Sequence, residues 1–451
     1  MDKRKGVSPE LTKLYTENLS KMIECKTVWT PDGKYDAEFQ RFYAVIEELF
    51  PNIAAKAKKL SFGGGCFVYV IEGKNAKKNI MLMSHHDVVD GDDEWQTEPF
   101  TAVLKDGYLY GRGTIDTKTP LFAELQAAEE LLAEGHEFEG INLYIGSSNN
   151  EEVCGDGMVL ATEYFKAQGI NFYAVVDEGG AITEGQIPGV KCKSAVVAVH
   201  EKSRHVFRCK AEMQSKGHGG FGGTKDSAVE RLSAFIAEVS RRKDSIYKGH
   251  FYPEVKATFQ RHVPYMAFPM NFLFGNMGLF APIIKKIMMG IPAASAMLST
   301  GLSFTTLNAG DERNPQIKAK SAEATMFLRC IREDELYSGL EEIKKIASKY
   351  SVSIEELERD YCRPTDFNSE AFKSVEGLLH KNFPDVAVAP FLLTAGTDAR
   401  RFTDLADNIL RFAPIDLNKK QFATIHAADE HIGVDNIGEC VMFYKDLIKC
   451  I

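Results

Sequence analysis

The sequence predicts an α/β fold: a mixed, mainly parallel sheet with helices on both faces, carrying an inserted α+β domain. Three observations lead there. Short apolar runs alternate with helix-spaced stretches through the first part of the chain. The texture changes near residue 196 to strands followed by long amphipathic helices, and near residue 365 the first pattern returns. Strands alternating with helices imply parallel pairing with both faces covered, whereas segregated strands and helices imply an α+β unit. The expected organisation is therefore one domain over 1–195 and 365–451 and a second over 196–364.

Each element has its own signal. Tyr35–Phe50 places Phe39, Phe42, Val45, Ile46 and Leu49 at helical spacing. Cys66–Ile71 and Ile80–Met83 are short apolar runs of the kind that form buried strands. Thr117–Leu132 sets Leu121, Leu125, Ala128 and Leu132 on one helix face. Ile141–Ile145 and Phe172–Val176 repeat the strand signal. In the insert, Ala195–Val199 and His205–Ala211 are expected to be exposed antiparallel strands. Asp226–Arg241 and Asp334–Tyr350 are expected to be amphipathic helices. A helix at Ser369–Asn382 and an apolar stretch at Val386–Leu393 complete the first domain.

The bulk numbers exclude some function classes. A chain of 451 residues, 44% hydrophobic and 26% charged, can build a sizeable core. Its 54 basic and 63 acidic residues give a net charge of −9. That argues against nucleic acid and against an anionic membrane as the main partner. Nine cysteines, an odd number without a CxxC pair, point to a reducing cytoplasm rather than a disulfide framework. The N-terminal MDKRKGVSPELTKLY has no apolar core and does not resemble a signal peptide. Val263–Ile284 is 22 residues without Asp, Glu, Lys or Arg, long enough on paper to span a bilayer. Its prolines 264, 269 and 282 break the helix ladder, so buried or interface helices are expected and no stable membrane insertion.

Five clusters carry chemistry. In MLMSHHDVVD an apolar strand ends in Ser84, His85, His86 and Asp87. Residues two apart on a strand share a face, so His85 can offer a ring nitrogen to a metal while Asp87 holds the other. In GRGTIDTK, Asp116 stands just before a helix, as a ligand or as an N-cap. In GSSNNEEVCGDG, adjacent Glu151 and Glu152 diverge. One can bind metal while the other faces substrate as a general base; a solvated acidic loop is the plainer alternative. VVDEGG ends a strand in Asp177 and Glu178, and ATIHAADEHI supplies His426. Two histidines with three or four carboxylates suit a pair of zinc ions sharing one carboxylate.

In order and spacing these pieces resemble the co-catalytic di-zinc peptidases that include carboxypeptidase S, the aminoacylases, carboxypeptidase G, acetylornithine deacetylase and succinyl-diaminopimelate desuccinylase. The matching pieces are Ser84–Val89, Trp95 with Glu98–Phe100, Asp106–Gly107, Gly111–Gly113, Asp116–Lys118, Glu151–Glu152, Asp177–Gly180, and His426 with Asp429–Glu430. The resemblance implies that 1–195 with 365–451 is the catalytic domain and 196–364 a lid or dimerisation domain. It implies two zinc ions, with cobalt or manganese as substitutes, held by His85, Asp116, Glu152, His426 and one of the adjacent pair Asp177 and Glu178, with Asp177 slightly preferred. Asp116 would bridge, Glu151 would be the base, and Asp87 would orient His85. His218, within Ser215–Gly219, would help hold the oxyanion across a homodimer; a glycine-rich turn there has the plainer reading of a flexible loop. The apolar insertion with Leu279–Pro282 is most similar to the carboxypeptidase S branch. Leu298–Thr300 and Ile317 depart from that branch where the substrate carboxylate is bound. The implied activity is hydrolysis of a peptide or amide bond next to a free carboxylate, on a small peptide or an N-acyl amino acid. A dipeptidase or N-acyl amino acid hydrolase is the alternative within the class. A non-catalytic binding protein on the same fold, or a thiol hydrolase using Cys154 or Cys66, would be of another class.

Overall fold

The computed structural model describes residues 6–91, 94–213, 227–310, 313 and 318–450. The chain forms two compact units. The first comprises Met1–His200, Glu254–Asn276 and Arg363–Ile451; the second comprises Glu201–Pro253 and Met277–Cys362.

The first unit is built on a ten-stranded sheet. At its centre Lys74–His85 lies between Glu139–Ser148 and Phe172–Asp177, parallel to both, and Ala406–Arg411 continues the parallel set beyond Phe172–Asp177. Lys58–Phe62 and Cys66–Ile71 extend one side antiparallel. All six residues of Cys66–Ile71 are buried, because helices cover both faces of the sheet and leave no solvent side to alternate against. The helix Lys118–Ala133 is buried almost all round; it packs on the sheet and is covered by Val434–Cys450. Its first residue, Lys118, is fully buried and donates to the carbonyls of Met22 and Cys25, at 3.1 and 2.7 Å. Burial pushes the Lys118 ammonium down to about 8.

Two expectations are corrected here. Ala195–Val199 is not an exposed strand. It lies within Lys193–Glu201, buried from Ser194 onward, and joins the large sheet antiparallel to Ala406–Arg411. A strand covered on both faces shows the same continuous apolar run whether its neighbours are parallel or antiparallel. His205–Ala211 is also largely buried. It lies in Ser203–Glu212, an inner strand of the second unit.

That second unit is a four-stranded antiparallel sheet in the order Gly301–Ala309, Ser321–Cys330, Ser203–Glu212, Val352–Asp360. Ser321–Cys330 alternates partly and fully buried residues along its length, the period-two signature of a sheet with one face packed. Two helices, Ala228–Ile246 and Glu333–Lys349, cover that face with Leu232, Phe235, Val239, Leu336, Leu340 and Ile343. Ser227 caps the first of them, accepting from the Glu230 amide at 3.2 Å.

The uncharged segment, expected as buried or interface helices, is helical in short pieces and only partly buried. It breaks at Pro264, Pro269 and Gly275 into short helices, Met270–Gly275 and Met277–Met289, and Phe268 is 81% exposed. Among the described residues no helix is long and apolar enough to cross a membrane.

Candidate metal centre

Three parallel strands end side by side in the first unit, and the site lies at their carboxyl ends. His85 closes Lys74–His85 in register with Ser148. The chain leaving Ser148 carries Glu151 and Glu152, and the chain leaving Phe172–Asp177 carries Asp177 and Glu178. Asp116 arrives from the turn before Lys118–Ala133, and His426 from the turn before the C-terminal helix.

Asp116 is the hub. His85 Nε2 lies 3.1 Å from its Oδ1, and His426 Nε2 lies 3.0 Å from its Oδ2. Glu152 Oε2 is 3.2 Å from the same His426 nitrogen. His85, Asp116 and Glu152 each offer one ligand atom within 4.8 Å of the others. The remaining Glu152 oxygen, Oε1, is buried and has no hydrogen-bond partner among the described residues. An orphaned carboxylate oxygen beside two imidazoles and a shared carboxylate is a donor set that fits a divalent cation.

Charge is concentrated accordingly. Burial disfavours a charged His85 ring, but Asp116 and Asp87 outweigh it and hold the ring well above the usual histidine range. Asp116, and then Glu152, push His426 up to about 10. Burial, with Asp398 and Asp87, drives Glu151 well above the usual carboxylate range, against the pull of His85.

The structure separates Asp177 from Glu178. Asp177 Oδ1 accepts from the Glu178 amide at 2.9 Å and Oδ2 from the Ala399 amide at 2.8 Å. Burial and the nearby Asp398 push Asp177 up to about 7. Glu178 is also raised, by burial first and then by the charges of Asp177, Asp116 and Glu151.

Asp87 has a wider reach than the sequence suggests. His85 Nδ1 contacts its backbone carbonyl at 2.9 Å and its carboxylate at 3.5 Å. The Asp87 carboxylate itself accepts from the amides of Glu151 and Glu152, both at 3.1 Å. It fixes both glutamates through their backbone. His86, by contrast, turns into the core. It stacks on Phe42 and Phe67, contacts Ser147 Oγ at 2.8 Å, and burial holds it neutral. His218, with the whole Ser215–Gly219 stretch, lies outside the described residues.

Three further residues support the site and were given no role from sequence. Thr117 Oγ1 accepts from the His85 amide at 3.0 Å and donates to its carbonyl at 2.7 Å. Ser148 donates to buried Asp398 at 2.6 Å. Glu430, fully buried, accepts from Arg112 Nη1 and from the amides of Gly113, Ile115 and Asp116. Burial pushes Glu430 up against the pull of Arg112 and of the Ile115 and Gly113 amides. The available signal was the pairing of Gly111–Arg112–Gly113 with Asp429–Glu430, which spacing alone could not connect.

Comparison with known proteins identifies the family of the chain. Residues 81–449 match the model of Peptidase family M20/M25/M40. The chain is 27% identical over 457 residues to the N-fatty-acyl-amino acid synthase/hydrolase PM20D1.1 of Danio rerio, covering 98% of this chain and 87% of that one. It is 28% identical over 448 residues to the probable carboxypeptidase S-like 2 of Dictyostelium discoideum, covering 96% and 84%. Its fold is similar to that of the M20 family metallo-carboxypeptidase Sso-CP2 from Sulfolobus solfataricus, with a TM-score of 0.66 at 18% identity over 98% and 99% of the two chains. The strand-end cluster thus sits in a chain that belongs to Peptidase family M20/M25/M40, and the protein is a hydrolase of the peptidase and amidohydrolase type.

Proposed function

We propose that the protein is a di-zinc hydrolase that cleaves an amide bond adjacent to a free carboxylate. The observation that carries this reading is Asp116, with one histidine on each carboxylate oxygen. A carboxylate so placed can bridge two cations, with His85 on one and His426 on the other. Glu152 adds its unpartnered oxygen. Glu178 is favoured over Asp177 as the remaining ligand, because both Asp177 oxygens already accept backbone amides.

When bound, the metal pair polarises the scissile carbonyl and lowers the pKa of water towards neutrality. The chain's own residues do the rest. Glu151 takes the proton from the attacking water and returns it to the leaving nitrogen. Asp87 keeps Glu151 and Glu152 in fixed relation through their amides. His218, in the proposed lid or dimerisation domain of a homodimer, would hold the developing oxyanion. The nine cysteines, all free, support a cytoplasmic location.

A specific observation favours one substrate class beside small peptides. Relatives over nearly the full length are named N-fatty-acyl-amino acid synthase/hydrolases. An N-acyl amino acid and a dipeptide share the amide and the carboxylate; they differ in what occupies the acyl side. The test is hydrolysis of dipeptides, tripeptides and N-acyl amino acids of increasing chain length, with metal content measured in parallel. Loaded protein is expected to hold about two metal ions per chain. Prolonged chelation is expected to abolish hydrolysis, and zinc, cobalt or manganese to restore it. Full activity after complete metal removal overturns the proposal.

A further inference from the structure

Lys118 follows Asp116 by two residues, opens its own helix, and is fully buried. Both facts cost stability. A helix N-terminus carries partial positive charge and disfavours a cation, and a buried ammonium loses its water. Among the described residues no acidic side chain hydrogen-bonds to it. Its Nζ donates instead to the carbonyls of Met22 and Cys25, at the end of helix Pro9–Ile23, where the last carbonyls of a helix lack partners. The ring of Phe42 is centred 5.3 Å from the same nitrogen. The stem of the side chain packs on Gly113, where a Cβ would come within 3.2 Å of Lys118 Cδ. The lysine thus serves another helix and not its own. It ties the Asp116 turn to the chain that leaves the first helix.

The same stretch of chain meets the strand end that carries His85. Thr27, also fully buried, donates its hydroxyl to the His86 carbonyl, and its own carbonyl accepts from the Val88 amide at 3.0 Å. These two contacts bracket Asp87, whose carboxylate holds the amides of Glu151 and Glu152. His85 and Asp116 meet at 3.1 Å, so the separation of their two backbones decides whether both can hold one ion. Residues 22–27 grip both backbones, one through Lys118 and the other through Thr27. Neither grip uses a ligand atom. The charges of Glu430 and Asp87, the two carboxylates that hold ligand amides, also act on the Lys118 ammonium.

We propose that Lys118 and Thr27 are positioning residues of the metal centre, with residues 22–27 as the common anchor that fixes the spacing of His85 and Asp116. This rests on the metal reading above, and the test separates the two.

The test is titration of the metal-free full chain with cobalt, whose visible absorption reports coordination geometry, beside a thermal melt of each protein. Thr27→Val keeps the shape and removes the hydroxyl. It is expected to bind cobalt about tenfold more weakly and with an altered spectrum, as loss of a hydrogen bond behind the ligands does. Thr27→Ser keeps the hydroxyl and should recover both readings. Lys118→Met should lose at least as much as Thr27→Val. Leu379→Ala, in the core of the same unit on helix Glu370–Asn382, measures destabilisation alone: Tm should fall while cobalt affinity and spectrum stay as in the parent. If Lys118→Met does not fold, the two Thr27 variants decide. Parent-like affinity and spectrum in Thr27→Val overturn the proposal. So does a Thr27→Ser protein that fails to recover, or a Leu379→Ala protein that loses cobalt affinity as Thr27→Val does. A parent protein that takes up no metal overturns the metal reading itself.

Discussion

Replacing Glu430 by Gln keeps the side chain's size but removes its charge and one of its two accepting oxygens from a fully buried site, so its effect can be worked out in advance. One Glu430 oxygen accepts from the amides of Ile115 and Asp116, at 2.6 and 3.1 Å; the other accepts from Gly113 N at 3.0 Å and Arg112 Nη1 at 2.9 Å. A glutamine keeps one accepting oxygen and sets an NH2 group against the other pair of donors. Either flip leaves two buried donors facing a donor, and Arg112 loses its buried counter-charge. Breaking a buried pair in this way costs about 3–5 kcal/mol. In a unit of this size each kcal/mol lowers Tm by roughly 2–4 °C, so a fall on the order of 10 °C is expected. Asp116 hangs on the same carboxylate by its amide, so the variant should also bind metal more weakly than the parent. The assay is a thermal melt of metal-free and metal-loaded protein, beside a metal-binding titration of each. A Tm loss near 1 °C with unchanged metal affinity would refute the clamp.

Glu151→Gln should retain about two metals and lose 10²–10⁴-fold in kcat, with KM little changed, as expected of a general base. Glu152→Gln should lose metal instead, so metal content beside kcat for the two variants separates base from ligand, and the opposite pattern reverses the roles. In metal-free protein the His426 pKa stands at about 10 against 6.5 for the free group, so its pairing stabilises the fold fully below about 6.5 and fades as pH rises through about 10. A metal needs neutral rings, so uptake at pH 8 should release protons from both His426 and His85, read by titration in buffers of different ionisation enthalpy; no release would sink the assignment. His218→Ala should lower kcat about a hundredfold, and mixing it with Glu151→Gln should restore activity if the residue acts across a dimer.

Much of the first unit was legible because its strands are short apolar runs between helix-spaced stretches, and both patterns survive burial. The helices Asp36–Leu49 and Lys118–Ala133 fall within a residue or so of their expected bounds. Ala195–Val199 shows where the reasoning stops: periodicity reports that a strand is covered, and not which sheet covers it. The segment from Val263 meets a related limit: its apolar character predicts buried or interface helices without separating the two, and Phe268 and Leu279 stand in solvent. At the centre, residue type and strand-end position brought out His85, Asp116, Glu151, Glu152 and His426. They could not bring out Glu430, whose partners lie more than 300 residues away in the chain. The reach of Asp87 to two backbone amides was equally hidden, since any carboxylate could meet them.

The span of the Asp116 contacts also sets an order of assembly. Asp116 meets His85 across 31 residues of chain, but its amide meets Glu430 across 314. The thermodynamic penalty for the longer closure is modest, about 2 kcal/mol for a tenfold longer loop. The kinetic one is larger, because contacts distant in sequence form late. During refolding, the half of the centre built from His85 and Asp116 can therefore gather before the C-terminal segment docks. The arrival of Glu430 and His426 then turns a loose pair of side chains into a fixed cage.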